Sequence, residues 1–160
     1  MFISYLIGAI SKMGFNFKFE KLLENEFLLI SLEPELTILQ LTWKQHPNSE
    51  QFKNGYRLGI ELMLKHGVKY WLSDSIKINY VEAADQLWFS MKLRPLLKSG
   101  KLHKFANVMN LNNYLMTDTT LVYENPEQER EEAKANFHIL FDLESAYLWL
   151  LEDNDNPKSI

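Results

Sequence analysis

The stretch Tyr70–Asn79, YWLSDSIKIN, decides the fold. Before it lies a helical pattern that stops at Gly67; after it a second one opens behind a polar residue. A short apolar run between two amphipathic helices, here Val68–Leu72, is the pattern of a central strand in an α/β sheet. Asp74 and Ser75 fall where that strand runs out. Ligands of open α/β sheets gather at the carboxyl ends of strands, which makes Asp74 and Ser75 candidate regulatory or ligand-end positions. Asp and Ser also satisfy backbone donors wherever a chain turns, so a plain corner is the competing expectation.

The helix upstream starts behind Asn48, with Gln51 three residues on to complete a capping box. Phe52, Tyr56, Gly59, Ile60 and Met63 share one of its faces, and Gly67 suits the left-handed position after a helix. Further back, Phe27–Leu32 and Leu36–Lys44 are β-rich runs separated by Glu33-Pro34-Glu35. In the second run Leu39, Leu41 and Trp43 alternate with Gln40 and Thr42, the period of a half-buried strand. An antiparallel hairpin is predicted.

Downstream, Asn79 and Glu82 suggest a second capping box, and Val81, Ala84, Leu87, Trp88 and Met91 the inward stripe of the next helix, which Pro95 ends or kinks. Lys101–Met109 reads as a strand, Leu111–Thr117 as a short helix or loop, and Thr119–Tyr123 as extended. Asn125 and Pro126 open an acidic helix, Phe137–Phe141 is a last strand, and Asp142 caps a final helix with Leu143, Ala146, Tyr147 and Leu150 on one face. The predicted fold is a single-domain α/β protein whose mixed sheet opens with an antiparallel hairpin and continues as alternating strands and helices. Residues 1–24 are read as an N-terminal extension of unassigned structure, 25–152 as the domain and 153–160 as a polar tail.

Composition narrows the function classes. A formal charge of −4 argues against general nucleic-acid binding, which needs a basic phosphate footprint. With no Cys there are no disulfides, no thiolate catalysis and no Cys zinc site, in keeping with the reducing cytoplasm. The opening MFISYLIGAISKMG is too short to span a bilayer and has no basic leader or cleavage signal. No integral membrane segment is predicted, and Met13 is an alternative start. His46, His66, His103 and His138 show no metal-ligand spacing, so neither metal nor cofactor is expected. No catalytic constellation stands out either; the one enzymatic alternative pairs Asp74 with His103 or Ser75, which must lie within hydrogen-bond reach.

Two charged runs, basic Lys98–Lys104 and acidic Glu127–Glu132, read as solvated faces or as complementary halves of a subunit contact. An aromatic content of 13% directs attention to Trp43, Trp71 and Phe89 as a candidate pocket or interface, against ordinary core packing. Tyr70 and Trp71, as neighbours on a strand, point to opposite faces, and Trp88 belongs to the core stripe.

The hairpin ending in LTWK (41–44), the helix SEQFKNGYRLGIELMLKHGVK (49–69), the strand YWLSD (70–74), QLWF (86–89) and HKFANVM (103–109) together resemble the STAS fold of anti-sigma-factor antagonists. More narrowly, they are similar to STAS/CRAL-TRIO-like proteins of the Bacteroidetes. The resemblance implies a non-enzymatic regulatory or protein-interaction module that self-associates, with Ser75 placed like the phosphorylatable Ser of the antagonists. Ile76-Lys77 stand where those proteins have a second Ser and a Gly. The CRAL-TRIO side of the resemblance implies instead a carrier or sensor of a small apolar ligand such as a lipid.

Overall fold

The computed structural model describes residues 16–117 and 136–152. Among them a six-stranded mixed sheet runs in strict chain order: β1 (Glu20–Glu24), β2 (Leu28–Glu33), β3 (Ile38–Trp43), β4 (Tyr70–Ser75), β5 (Lys104–Met109) and β6 (Phe137–Leu140). β1, β2 and β3 form an antiparallel meander, and β3 to β6 are parallel. The helices are α1 (Ser49–His66), α2 (Ala83–Lys98), α3 (Leu111–Met116) and α4 (Leu143–Leu150). The α/β class, the hairpin and the alternation that follows are as the sequence predicts. β1 is an addition: it lies inside the segment read as an extension, and its EKLLE sequence carries no strand signal. It pairs with β2 through a register shift between Lys21 and Leu23, and its charged residues suit a sheet edge. The expected extended run at Thr119–Tyr123, the acidic helix after Pro126 and the polar tail fall outside the described residues.

Alternation along the strands divides the sheet into two faces. Leu39, Trp71, Phe105 and Phe137 stand side by side across one face of β3–β6. Trp71 and Phe105 meet edge to face at 5.3 Å, and Phe105 stacks on Phe137 at 5.7 Å. Gln40, Leu72, Ala106 and His138 form the matching row on the other face. α1 and α2 cover the first face; right-handed crossovers between strands added in one direction place successive helices together in this way. α4, with Phe17 and Phe19, covers the second.

Local chemistry fixes the helix ends. Asn48 accepts from the Gln51 amide while the Gln51 side chain accepts from the Asn48 amide, and Gly67 ends α1 with φ 61°. Asp142 accepts from the Ser145 amide to start α4. α1 lies close on the sheet because Gly55 and Gly59 carry no side chain: a Cβ at either would sit 2.5 Å from the indole of Trp43 or of Trp71, respectively.

α2 departs from expectation in two ways. Glu82, not Asn79, is its N-cap, and it makes no side-chain cap bond; the Asn79 amide donates instead to His46 Nδ1 at 3.1 Å. The helix is also turned relative to the predicted stripe. Asp85, Ser90 and Leu93 are buried, whereas Leu87 and Met91 are 44% and 62% exposed. The cause is Asp85, which accepts from the Ser49 hydroxyl at 2.8 Å and pairs with Lys53 at 3.7 Å, tying α2 to α1 through a buried carboxylate. Trp88 is only partly buried, with the Arg57 guanidinium over its ring at 5.2 Å. Pro95 lies inside the helix, which continues to Lys98.

The Lys98–Lys104 run is not wholly a solvated face. Lys104 is buried, and its ammonium donates to the carbonyls of Trp149 and Glu152 at 2.9 and 3.0 Å. A cation on the last carbonyls of a helix is favoured by the helix dipole, so Lys104 anchors the end of α4.

A candidate ligand cavity under helix α2

Four parallel strands added in chain order leave no point at which the strand order reverses, and so no crevice of the kind that doubly wound sheets use. The space in this molecule lies on a face instead. β5 presents Phe105, Asn107 and Met109 to the first face, and β6 presents Phe137 and Ile139. Phe105 is covered by Trp71 and Phe89 at 5.3 and 5.5 Å. Beyond it a cavity of about 440 Å³ opens between α2, α3 and the β5–β6 face. Its walls are mainly apolar: Phe89, Leu93, Leu97, Met109, Phe137 and Ile139.

Besides Ser90, Arg94, Lys98, Thr117 and Asn136, two groups of polar side chains stand on the wall or directly behind it. At one end, Tyr56, Ser73 and Ser75 close a hydroxyl cluster in which Ser73 lies 2.8 Å from Tyr56 and 3.0 Å from Ser75, with 3.5 Å between Tyr56 and Ser75. Burial pushes the Tyr56 phenol above its ordinary pKa, with the Ser73 and Ser75 hydroxyls opposing in part, so it stays neutral at physiological pH. The second set is three side-chain amides, Gln86 of α2, Asn107 of β5 and Asn113 of α3. The oxygen of each is buried behind the wall, with almost no accessible surface, and accepts no hydrogen bond from the described residues.

The sequence candidates separate in space. Ser75 is 2% exposed and faces the cavity, whereas Asp74 points to the opposite face of β4. The two therefore share no site. His103 cannot serve Asp74 either: Asp74 pairs with Val108, five residues beyond His103, which is about 16 Å along the strand. Of Trp43, Trp71 and Phe89, only Phe89 lines the cavity; both tryptophans are sealed beneath α1. His46 lies against Tyr80 at 4.7 Å and His138 against Trp149 at 4.6 Å. Among the described residues no three His, Asp or Glu gather as a metal site. No described helix is long and apolar enough to cross a membrane. Sequence reasoning missed Gln86, Asn107 and Asn113, although one signal was present: Asn is depleted in strands, and Asn107 stands among apolar neighbours on an inward position.

On the second face, desolvation raises the Asp74 carboxyl above its ordinary pKa, opposed by the Ile76 amide and the Lys77 charge. Tyr147, whose hydroxyl donates to Gln40, is pushed well up by its burial and then by the Asp74 charge. A carboxyl with a raised folded pKa holds more protons folded than unfolded. Its ionisation therefore lowers stability as pH rises above the ordinary carboxyl value near 3.8. Asp74→Asn is expected to melt a few degrees higher than the parent at pH 7, with the gain shrinking towards zero near pH 4. Melting curves of both proteins across that range check it; a gain independent of pH would contradict the assignment.

Comparison with family models, with curated proteins and with solved structures returned no match.

Proposed function

We propose that the protein is a non-catalytic carrier or sensor of a small apolar ligand, held in the cavity beneath α2. The observation that carries this is the cavity itself: about 440 Å³ of largely apolar space, within the roughly 300–1,000 Å³ typical of small-molecule sites. Its described wall offers binding groups but no evident base. The Tyr56 phenol is held neutral, and the other titratable wall residues are the cations Arg94 and Lys98. A cytoplasmic location belongs to the same proposal, and a chain without Cys accords with a reducing compartment.

Leu93→Trp tests it. Leu93 is buried on the cavity wall, and an indole there occupies the space a ligand needs. Freshly purified parent protein is expected to show a bound small molecule in native mass spectrometry and to take up naphthalene. The variant should fold and do neither. A parent protein that emerges empty and takes up naphthalene no better than Leu93→Trp would sink the proposal.

A second reading, a STAS-like interaction module that meets a protein partner or its own copy, is favoured by one feature. Leu111, Leu115 and Met116 of α3 and the adjoining Phe141 are all more than half exposed, at 59%, 71%, 65% and 52%. Tyr114 bridges the two segments, meeting Phe141 edge to face at 5.4 Å. Apolar patches of this kind mark interaction surfaces. The run of strands and crossovers from β3 to β6 accords with the family resemblance. Light scattering decides for self-association, and a strictly monomeric protein that also captures no partner counts against the module.

A further inference from the structure

We infer that the exposed apolar strip at the carboxyl edge of the parallel strands is the contact surface for a second copy of this chain, joined across a two-fold axis at α3 so that Lys77 of each copy faces Asp142 of the other. This rests on the interaction-module reading and names both the partner and the register of the contact.

The strip is built from three neighbouring strand ends. Ile76 follows β4, α3 follows β5, and Phe141 follows β6; Ile76, Leu111, Leu115, Met116 and Phe141 are all exposed. Printed side by side along the sheet edge, these ends are also tied to one another. Asn110 Nδ2 donates to the carbonyls of Ile76 and Ile78 at 2.8 and 3.0 Å, which fixes the start of α3 against the end of β4. On the other side Tyr114 meets Phe141. Asn113 is buried towards the cavity, so Leu111, Leu115 and Met116 are left on the outer side of the helix.

The distribution of charge makes the strip complementary to itself. No Asp, Glu, Lys, Arg or His lies between Asn110 and Thr117, so the middle is uncharged. The ends carry opposite signs: Lys77 is exposed beside Ile76, and Asp142 is exposed beside Phe141. β4 and β6 flank β5, which sets the two ends about 10 Å apart, or two strand spacings. A two-fold axis across α3 lays the β4 end of one copy on the β6 end of the other. Apolar surface then meets apolar surface, and Lys77 meets Asp142 twice, as an isologous contact requires. A bilayer suits the strip less well. An anionic surface is opposed by Asp142 and by the formal charge of −4, and a neutral one offers neither end a counter-charge.

Sedimentation equilibrium of the full chain tests the pairing, at concentrations up to about 100 µM because a contact of this size belongs to the weaker class. The parent is expected to dimerise. Leu115→Glu should raise the dissociation constant roughly a hundredfold, since both copies lose a central contact. Its melting temperature in dilute solution should match the parent's, because the side chain is exposed. Lys77→Gln and Asp142→Asn should each weaken pairing about threefold at low salt, asparagine keeping the cap of α4. The double variant should be no weaker than either single one, which marks the two residues as each other's partners. A parent that stays monomeric overturns the inference, and if it binds phosphatidylcholine vesicles through Leu115 the strip is a membrane surface instead. A dimer that survives Leu115→Glu, or charge effects that simply add, places the contact or its register elsewhere and also overturns it. The interaction-module reading falls only if the monomer captures no partner either, so the two failures are distinct.

Discussion

Gly59→Ala is expected to destabilise the protein, although alanine is the better helix former. The helix gains about 1 kcal/mol from the exchange. Against that, the new Cβ would stand 2.5 Å from Trp71 Cζ2, 3.0 Å from its Cη2 and 3.2 Å from Leu41 Cδ2. Trp71 is completely buried and cannot swing aside, with Tyr56, Phe89 and Phe105 around it at 6.1, 6.4 and 5.3 Å. Overpacking of this kind costs about 1–3 kcal/mol, so the net loss should be up to about 2 kcal/mol, towards the upper end because the indole cannot move. Trp71→Phe alone should also destabilise, by leaving a void beneath α1. Together the two changes are complementary, and Gly59→Ala with Trp71→Phe should be more stable than the sum of the single effects predicts. Denaturant unfolding of the four proteins measures the coupling, and strict additivity would show that the contact does not govern how α1 seats. Gly55 stands in the same relation to Trp43, so Gly55→Ala should lose stability in the same direction.

Ser75→Asp is expected to unfold the protein or come close to it, whereas Ser75→Ala should cost only about 1 kcal/mol. Ser75 is 2% exposed, and among the described residues its hydroxyl meets Ser73 at 3.0 Å and Tyr56 at 3.5 Å. Removing it gives up one modest hydrogen bond. Placing a carboxylate there buries a charge with no cation shown against it, a penalty of several kcal/mol on the scale of a lone buried ion. A phosphate is larger and more highly charged. A kinase could reach Ser75 only after the end of β4 had opened, so modification would act by unfolding rather than by building a docking face. Urea midpoints of Ser75→Ala, Ser75→Asp and the neighbouring Asp74→Asn check this. A Ser75→Asp protein as stable as its parent would place that side chain at the surface.

Much of the fold was legible because its signals are local. Asn48, Gln51 and Gly67 mark both ends of α1 by hydrogen bonds that involve only nearby residues. The alternation of Leu39, Leu41 and Trp43 needs nothing but the pleat. β1 was not legible, because two leucines among charges become a strand only when β2 offers its edge. The stripe of α2 was misread for a related reason: Asp85 is buried by a tie to α1, and leucine and methionine take the outward positions. The site was harder still. Trp43 and Trp71 drew attention by size, yet Gly55 and Gly59 lower a helix onto them and make them core. Asp74 and Ser75 drew attention as a pair, yet a strand sends neighbours to opposite faces. Gln86, Asn107 and Asn113 belong to a helix, a strand and a second helix, and only the packing of those elements brings them to one region.

The strict chain order of the strands bears on how the molecule is made. Every strand pairs with the one synthesised just before it, so none has to be threaded between two that are already joined. The sheet can therefore grow outward from the hairpin as the chain leaves the ribosome, each crossover closing over its own short span. The cavity draws its walls from α2, β5, α3 and β6, the later part of that sequence. It is the last region to come into being, and shortening the chain from its C-terminal end should abolish ligand capture well before it disturbs the meander where the sheet begins.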